Sequence, residues 1–124
     1  MKFKKISGVL LIVLGVMHLI AEITSPALGD LQIFQQMNAY IINFLGEHTL
    51  YEFLIGFSYT MGLLFIFCGI LIMLSNDKKA FIFTFFFLLV LTGISLKYFH
   101  PIAYGIQIVS SFMILLAIKH REYA

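Results

Sequence analysis

The chain of 124 residues is short of what a water-soluble domain of that length needs. It holds eight Lys and Arg, six Asp and Glu, two prolines, one cysteine and no tryptophan. So few charges could not cover the surface of a soluble fold whose residues are 61% hydrophobic, and a second apolar medium is therefore required. A lone cysteine, Cys68, excludes an intrachain disulfide, and within an apolar run its thiol acts as a small hydrophobe. The net charge of +2 comes with no basic stretch interleaved with aromatics, which excludes a nucleic-acid partner. No Cys-x-x-Cys, Walker loop, Gly-x-Gly-x-x-Gly or Gly-x-Ser-x-Gly occurs, so redox-thiol, nucleotide and serine-hydrolase chemistry lack support.

What is present is long apolar runs, at 6–23, 51–74, 80–98 and 102–118. Each is near the roughly 20 residues that a helix rising 1.5 Å per residue needs to cross about 30 Å of hydrocarbon. His100 and Pro101 make a very short turn, with Pro101 opening the fourth helix where its missing amide is harmless. Residues 75–79, Ser-Asn-Asp-Lys-Lys, form a compact polar loop. The expected fold is all-α: an integral membrane four-helix bundle, one transmembrane domain over 1–124, with an amphipathic helix in the first outer loop.

Charge placement orients the spans. Lys2, Lys4, Lys5, Lys78, Lys79, Lys119 and Arg121 fall on one side and only Lys97 on the other. By the positive-inside tendency the multi-pass chain sits in the cell membrane with both termini cytoplasmic. A Lys-rich start, an apolar run and the small residues Ser25 and Ala27 also fit a secretory signal peptide. The length of the run and Pro26 favour a retained span.

Within the outer connection, Leu31, Phe34, Met37, Tyr40, Ile41, Phe44 and Leu45 recur at steps of three and four among amides. This spacing predicts an amphipathic helix over about 30–45, with Asp30 as N-cap and Gly46 as its stop. Its polar face is uncharged, which disfavours binding to anionic lipid, so it is expected across the outer mouth of the bundle or in the outer interface, closing the bundle or, as the alternative, serving as a substrate lid.

Ionisable groups inside hydrocarbon are expensive and tend to face inward and pair. On the first span Gly8, Leu11, Gly15, His18 and Glu22 share a face, and on the second His48, Glu52, Gly56, Tyr59, Gly62 and Gly69 do. The glycines allow the two faces to meet. Because the spans run in opposite directions, His18 is expected level with Glu52 and Glu22 level with His48. The fourth span adds His100, Tyr104, Gln107 and Ser111, and the third Thr84, Thr92 and Ser95. The polar residues thus gather in the outer half, and the inner half reads as Leu, Ile, Phe and Val packing. The candidate site is His18, Glu22, His48, Glu52, Tyr59, His100, Tyr104 and Gln107.

The segments Leu14-Gly15-Val16-Met17-His18, Gly56-Phe57-Ser58-Tyr59-Thr60-Met61-Gly62 and Lys97-Tyr98-Phe99-His100-Pro101 resemble small four-helix bacterial membrane proteins of unknown function. The architecture is similar to that of DoxX-like proteins. A helix-borne His-x-x-x-Glu with a further Glu is similar to the emopamil-binding sterol isomerases, which however use an aromatic that is often Trp. The resemblance implies a fold and no activity. The leading expectation is a polar His/Glu site that binds a small apolar or amphipathic ligand. An enzyme acting on a lipid or quinone-like substrate, a metal- or haem-binding protein and a structural subunit stay open. The cofactor is unassigned. The expected partners are the bilayer, a lipid-like small molecule and, as an option, a second copy of the chain.

Overall fold

The computed structural model describes residues 2–28, 31–43, 46–98 and 101–122. In chain order they form α1 (Lys2–Leu28), α2 (Leu31–Ala39), β1 (Ile41–Asn43), β2 (Glu47–Thr49), α3 (Leu50–Leu74), α4 (Lys78–Tyr98) and α5 (Pro101–Lys119). The all-α class holds, with one short hairpin added. Helices α1, α3, α4 and α5 contain the four apolar runs, and each is long and apolar enough to cross a membrane. A third or fewer of the residues in the most apolar stretch of each are buried. Phe83 and Leu74 are 72% and 75% exposed, and a monomer in water does not leave so much apolar surface bare. The chain is a membrane protein with four candidate spans.

Each boundary has a local cause. Thr49 and Glu52 start α3 with a capping box. The Glu52 amide donates to Thr49 Oγ1 at 3.1 Å, and the Thr49 amide donates to Glu52 Oε2 at 3.0 Å. Asp77 caps α4, its Oδ1 accepting from the Lys79 amide at 2.9 Å. Helix α5 ends with Arg121 in the left-handed region at φ 53°. The amides of Arg121 and Glu122 there bond to the carbonyls of Ile118 and Ala117, which is a Schellman closure.

The second helix is shorter than its periodicity predicts. It stops at Ala39, and Ile41, Ile42 and Asn43 pair antiparallel with Thr49, His48 and Glu47. Two adjacent β-branched residues favour a strand, and Asn38 Nδ2 donates back to the Phe34 carbonyl at 3.0 Å near the helix end. Gly46 serves the hairpin at φ +138° rather than a helix terminus. Phe34 keeps its predicted inward role, packing edge-on against Tyr51 at 5.4 Å. Asp30, Phe44 and Leu45 lie outside the described residues.

The chain divides into two compact units: a central one, Gly15–Leu64, and a terminal one, Met1–Leu14 with Phe65–Ala124. Helices α1 and α3 contribute to both. In the terminal unit the first part of α1 and the last part of α3 approach through glycines. A Cβ on Gly69 would lie 2.6 Å from the Gly8 carbonyl oxygen and 3.1 Å from the Ile12 amide. Helices α4 and α5 complete this unit, burying Leu11, Phe81, Leu88 and Ile114 completely. In the central unit a Cβ on Gly62 would meet Leu19 at 2.7 Å and the Gly15 carbonyl at 3.2 Å. Gly8, Gly15, Gly62 and Gly69 of the faces read from the sequence are therefore at helix contacts, as close approach of helices in lipid requires, whereas Gly56 faces open space.

The terminal unit also corrects the expectation of a purely apolar inner half. Lys4, Ser7, Thr84, Ser110, Ser111 and Glu122 are buried there. Lys4 Nζ donates to the Ser75 carbonyl and to Asn76 Oδ1, and its ammonium stands 5.9 Å from the centre of the Phe81 ring. Ser7 Oγ donates to the Ser110 carbonyl at 3.1 Å. The Glu122 carboxylate accepts the amides of Lys4 at 2.7 Å and Phe3 at 3.2 Å, so α1 is capped from 118 residues away. Lys4, Ser7, Ser111 and Glu122 offset the cost of burial with these bonds and, for Ser111, a bond to the Gln107 carbonyl, whereas Ser110 Oγ is buried with no partner among the described residues.

Candidate functional site

The central unit holds five of the eight candidate residues, and its helix register decides which of them meet. Gly62 opposite Gly15 places His18 level with about residue 59 of α3, not with Glu52. That shift of about seven residues is ~10 Å along the axis. The side chain that reaches His18 and Glu22 is accordingly Ser58, which the sequence reading did not single out. Its Oγ lies 2.8 Å from His18 Nε2 and donates to Glu22 Oε1 at 2.6 Å. All three residues are half-buried.

One hydroxyl carries one proton, which fixes the donors. With Glu22 ionised, Ser58 gives its proton to the carboxylate and His18 Nε2–H donates to Ser58. With Glu22 protonated, the chain reverses, and the carboxyl donates to Ser58, which donates to Nε2. The arrangement passes hydrogen bonds between α1 and α3.

The crossed pairs expected from the sequence are not formed among the described residues. His48 lies on β2, outside the helix, and its Nδ1 is 4.0 Å from Glu52 Oε2 on its own stretch of chain. Glu52 in turn is held by the Thr49 amide. Both side chains are more than half exposed. With Phe53, Gly56, Phe57 and Thr60 they line a hollow of about 390 Å³. These α3 positions recur at three and four residues and form one stripe, whereas Ser58 lies about 200° around the helix from Gly56 at 100° per residue. The polar residues of the central unit thus serve two places. The hollow is walled by Phe53 and Phe57, edge to face at 4.9 Å, and a Cβ on Gly56 would touch nothing within 4 Å. Thr60 hydroxyl donates to the Gly56 carbonyl at 2.8 Å and keeps its lone pairs available.

The remaining candidates are distributed as follows. Tyr59 is half-buried in the central unit. Tyr104 and Gln107 belong to α5 in the terminal unit, where Tyr104 is half-buried and Gln107 is 1% exposed. Thr92 and Ser111 spend their hydroxyls on carbonyls one turn back, at 2.7 and 2.8 Å. His100 lies outside the described residues. No three of His, Cys, Asp and Glu among the described residues come together as a metal-binding group.

No family model, curated protein or solved structure matches the chain. What can be argued about function therefore rests on these residues alone.

Proposed function

We propose that this chain is a multi-pass protein of the cell membrane that binds a small amphipathic molecule at the hollow on α3. The carrying observation is the combination in one lining of a carboxylate, an imidazole, two phenyl rings and an open glycine. The volume of about 390 Å³ falls in the range of small-molecule sites. One oxygen of Glu52 is committed to the Thr49 amide, and the other is available to a ligand. A carboxylate beside aromatic faces suits a head group that is cationic or rich in hydrogen-bond donors, with its apolar part on Phe53 and Phe57. In this reading the lysine-rich end and both termini are cytoplasmic, and the hollow belongs to the outer side.

Long-chain alkylamines test the head-group chemistry. Dodecylamine titrated into protein in nanodiscs is expected to shift the resonances of Glu52, His48 and Phe57 saturably, whereas dodecanoate leaves them in place. Glu52→Gln is expected to weaken amine binding roughly tenfold or more, the worth of one charge-assisted contact. Equal response to amine and carboxylate, or no effect of Glu52→Gln, sinks the proposal.

A further inference from the structure

Where α1 begins, α3 turns into α4 and α5 ends, the charges run against the usual preference of helix termini. The first amides of a helix are unpaired and carry partial positive charge, so cations there are unfavourable and acids are preferred. Yet Lys2, Lys4 and Lys5 open α1, and Lys78 and Lys79 open α4. These segments share one end of the terminal unit, because Lys4 bonds to Ser75 and Asn76 and Glu122 bonds to the Lys4 amide.

Asp77 and Glu122 are the two acids of this end, and both turn their carboxylates onto helix amides rather than onto lysines. Lys4 is buried. Lys2, Lys5, Lys78, Lys79, Lys119 and Arg121 stay exposed, and among the described residues none of them has an ion-pair partner. Six unpaired cations thus ring the end from which four apolar helices emerge, four of them at helix starts where they repel the local dipole.

We propose that this end is a docking surface for anionic phospholipid head groups of the leaflet against which it lies. The lipid phosphates would stand level with the helix ends, supplying the negative charge that the chain withholds by spending its own acids on helix amides. Clusters of four to eight such cations beside a span are the pattern that anionic lipid recognises. Their surroundings are continuous with the apolar faces already in the bilayer.

The test uses the full chain in nanodiscs of phosphatidylcholine alone and of phosphatidylcholine with a minority of phosphatidylglycerol. Because a ligand that binds only the folded state raises its stability, the thermal midpoint is expected to rise by several degrees with phosphatidylglycerol. High salt removes that rise. The combined substitution Lys2→Gln, Lys5→Gln, Lys78→Gln and Lys79→Gln is expected to abolish it without lowering the midpoint in phosphatidylcholine, since it relieves the repulsion at two helix starts, and Lys97→Gln is expected to keep it. Equal midpoints in the two lipids overturn the proposal, as does a rise that survives salt and the lysine substitutions or is lost with Lys97→Gln. If the combined variant does not fold, the salt arm on the unaltered chain still decides.

Discussion

Ser58 shows how much one small side chain can decide inside a membrane helix. It joins α1 to α3 by serving two partners at once, at 2.8 and 2.6 Å. Ser58→Ala removes both bonds and is expected to lower stability by about 1 to 3 kcal/mol. Ser58→Thr, which keeps the hydroxyl, is expected to recover most of that in a thermal melt of the detergent-solubilised protein. Glu122 makes the second residue-scale prediction. Burial pushes its carboxyl up, but the Lys4 amide, then the N-terminal ammonium and the Phe3 amide pull it further down, leaving it at about 2 against an ordinary 4.5. A folded-state value below the unfolded one means stability that is full above pH 4.5 and is lost as pH falls towards 2. Melts between these pH values should show the midpoint falling in the unaltered chain. Glu122→Gln should start lower, by about 1 kcal/mol for a lost cap, and should lack that part of the slope.

Among the elements, the glycines of α1 and α3 separate by what surrounds them. Gly69→Ala would press a methyl against the backbone of Gly8 and Ile12, which cannot yield as a side-chain tip can, and is expected to cost about 1 to 3 kcal/mol. Gly56→Ala meets open space and gains up to about 1 kcal/mol of helix propensity. A thermal melt that ranks the two the other way contradicts the assigned helix contact. The same elements show what the sequence could reveal. Four spans follow from apolar run length alone, and the contact faces follow from Gly8, Gly15, Gly62 and Gly69 at helical spacing. Their register does not follow, since any glycine can oppose any other, and a slip of about seven residues was enough to replace Glu52 by Ser58 as the partner of His18. The Thr49-x-x-Glu52 capping box was readable, and it would have placed His48 outside the helix and committed Glu52 before any crossed pair was drawn. Tyr40 and Ile41 also complete the three- and four-residue spacing of the preceding helix, so the short strand that begins at Ile41 was hidden in the helical pattern. Lys4 and Glu122 left no local signal, because their pairing joins residues 118 apart.

For the whole molecule, the account divides polar chemistry by place. The His18, Ser58 and Glu22 chain ties α1 to α3, while the cationic end is proposed to meet anionic lipid and the hollow on α3 to take the ligand. Gly56 offers the most direct test of that last and central claim, because a large side chain there fills the hollow with no atom in the way. Native mass spectrometry of the protein released from mild detergent, before and after Gly56→Phe, is the measurement. The account predicts an adduct of small-molecule mass on the unaltered chain that is absent from Gly56→Phe, while Ser58→Thr retains it. An adduct carried equally by Gly56→Phe, or a bare chain that no amphipathic amine can load, would contradict it.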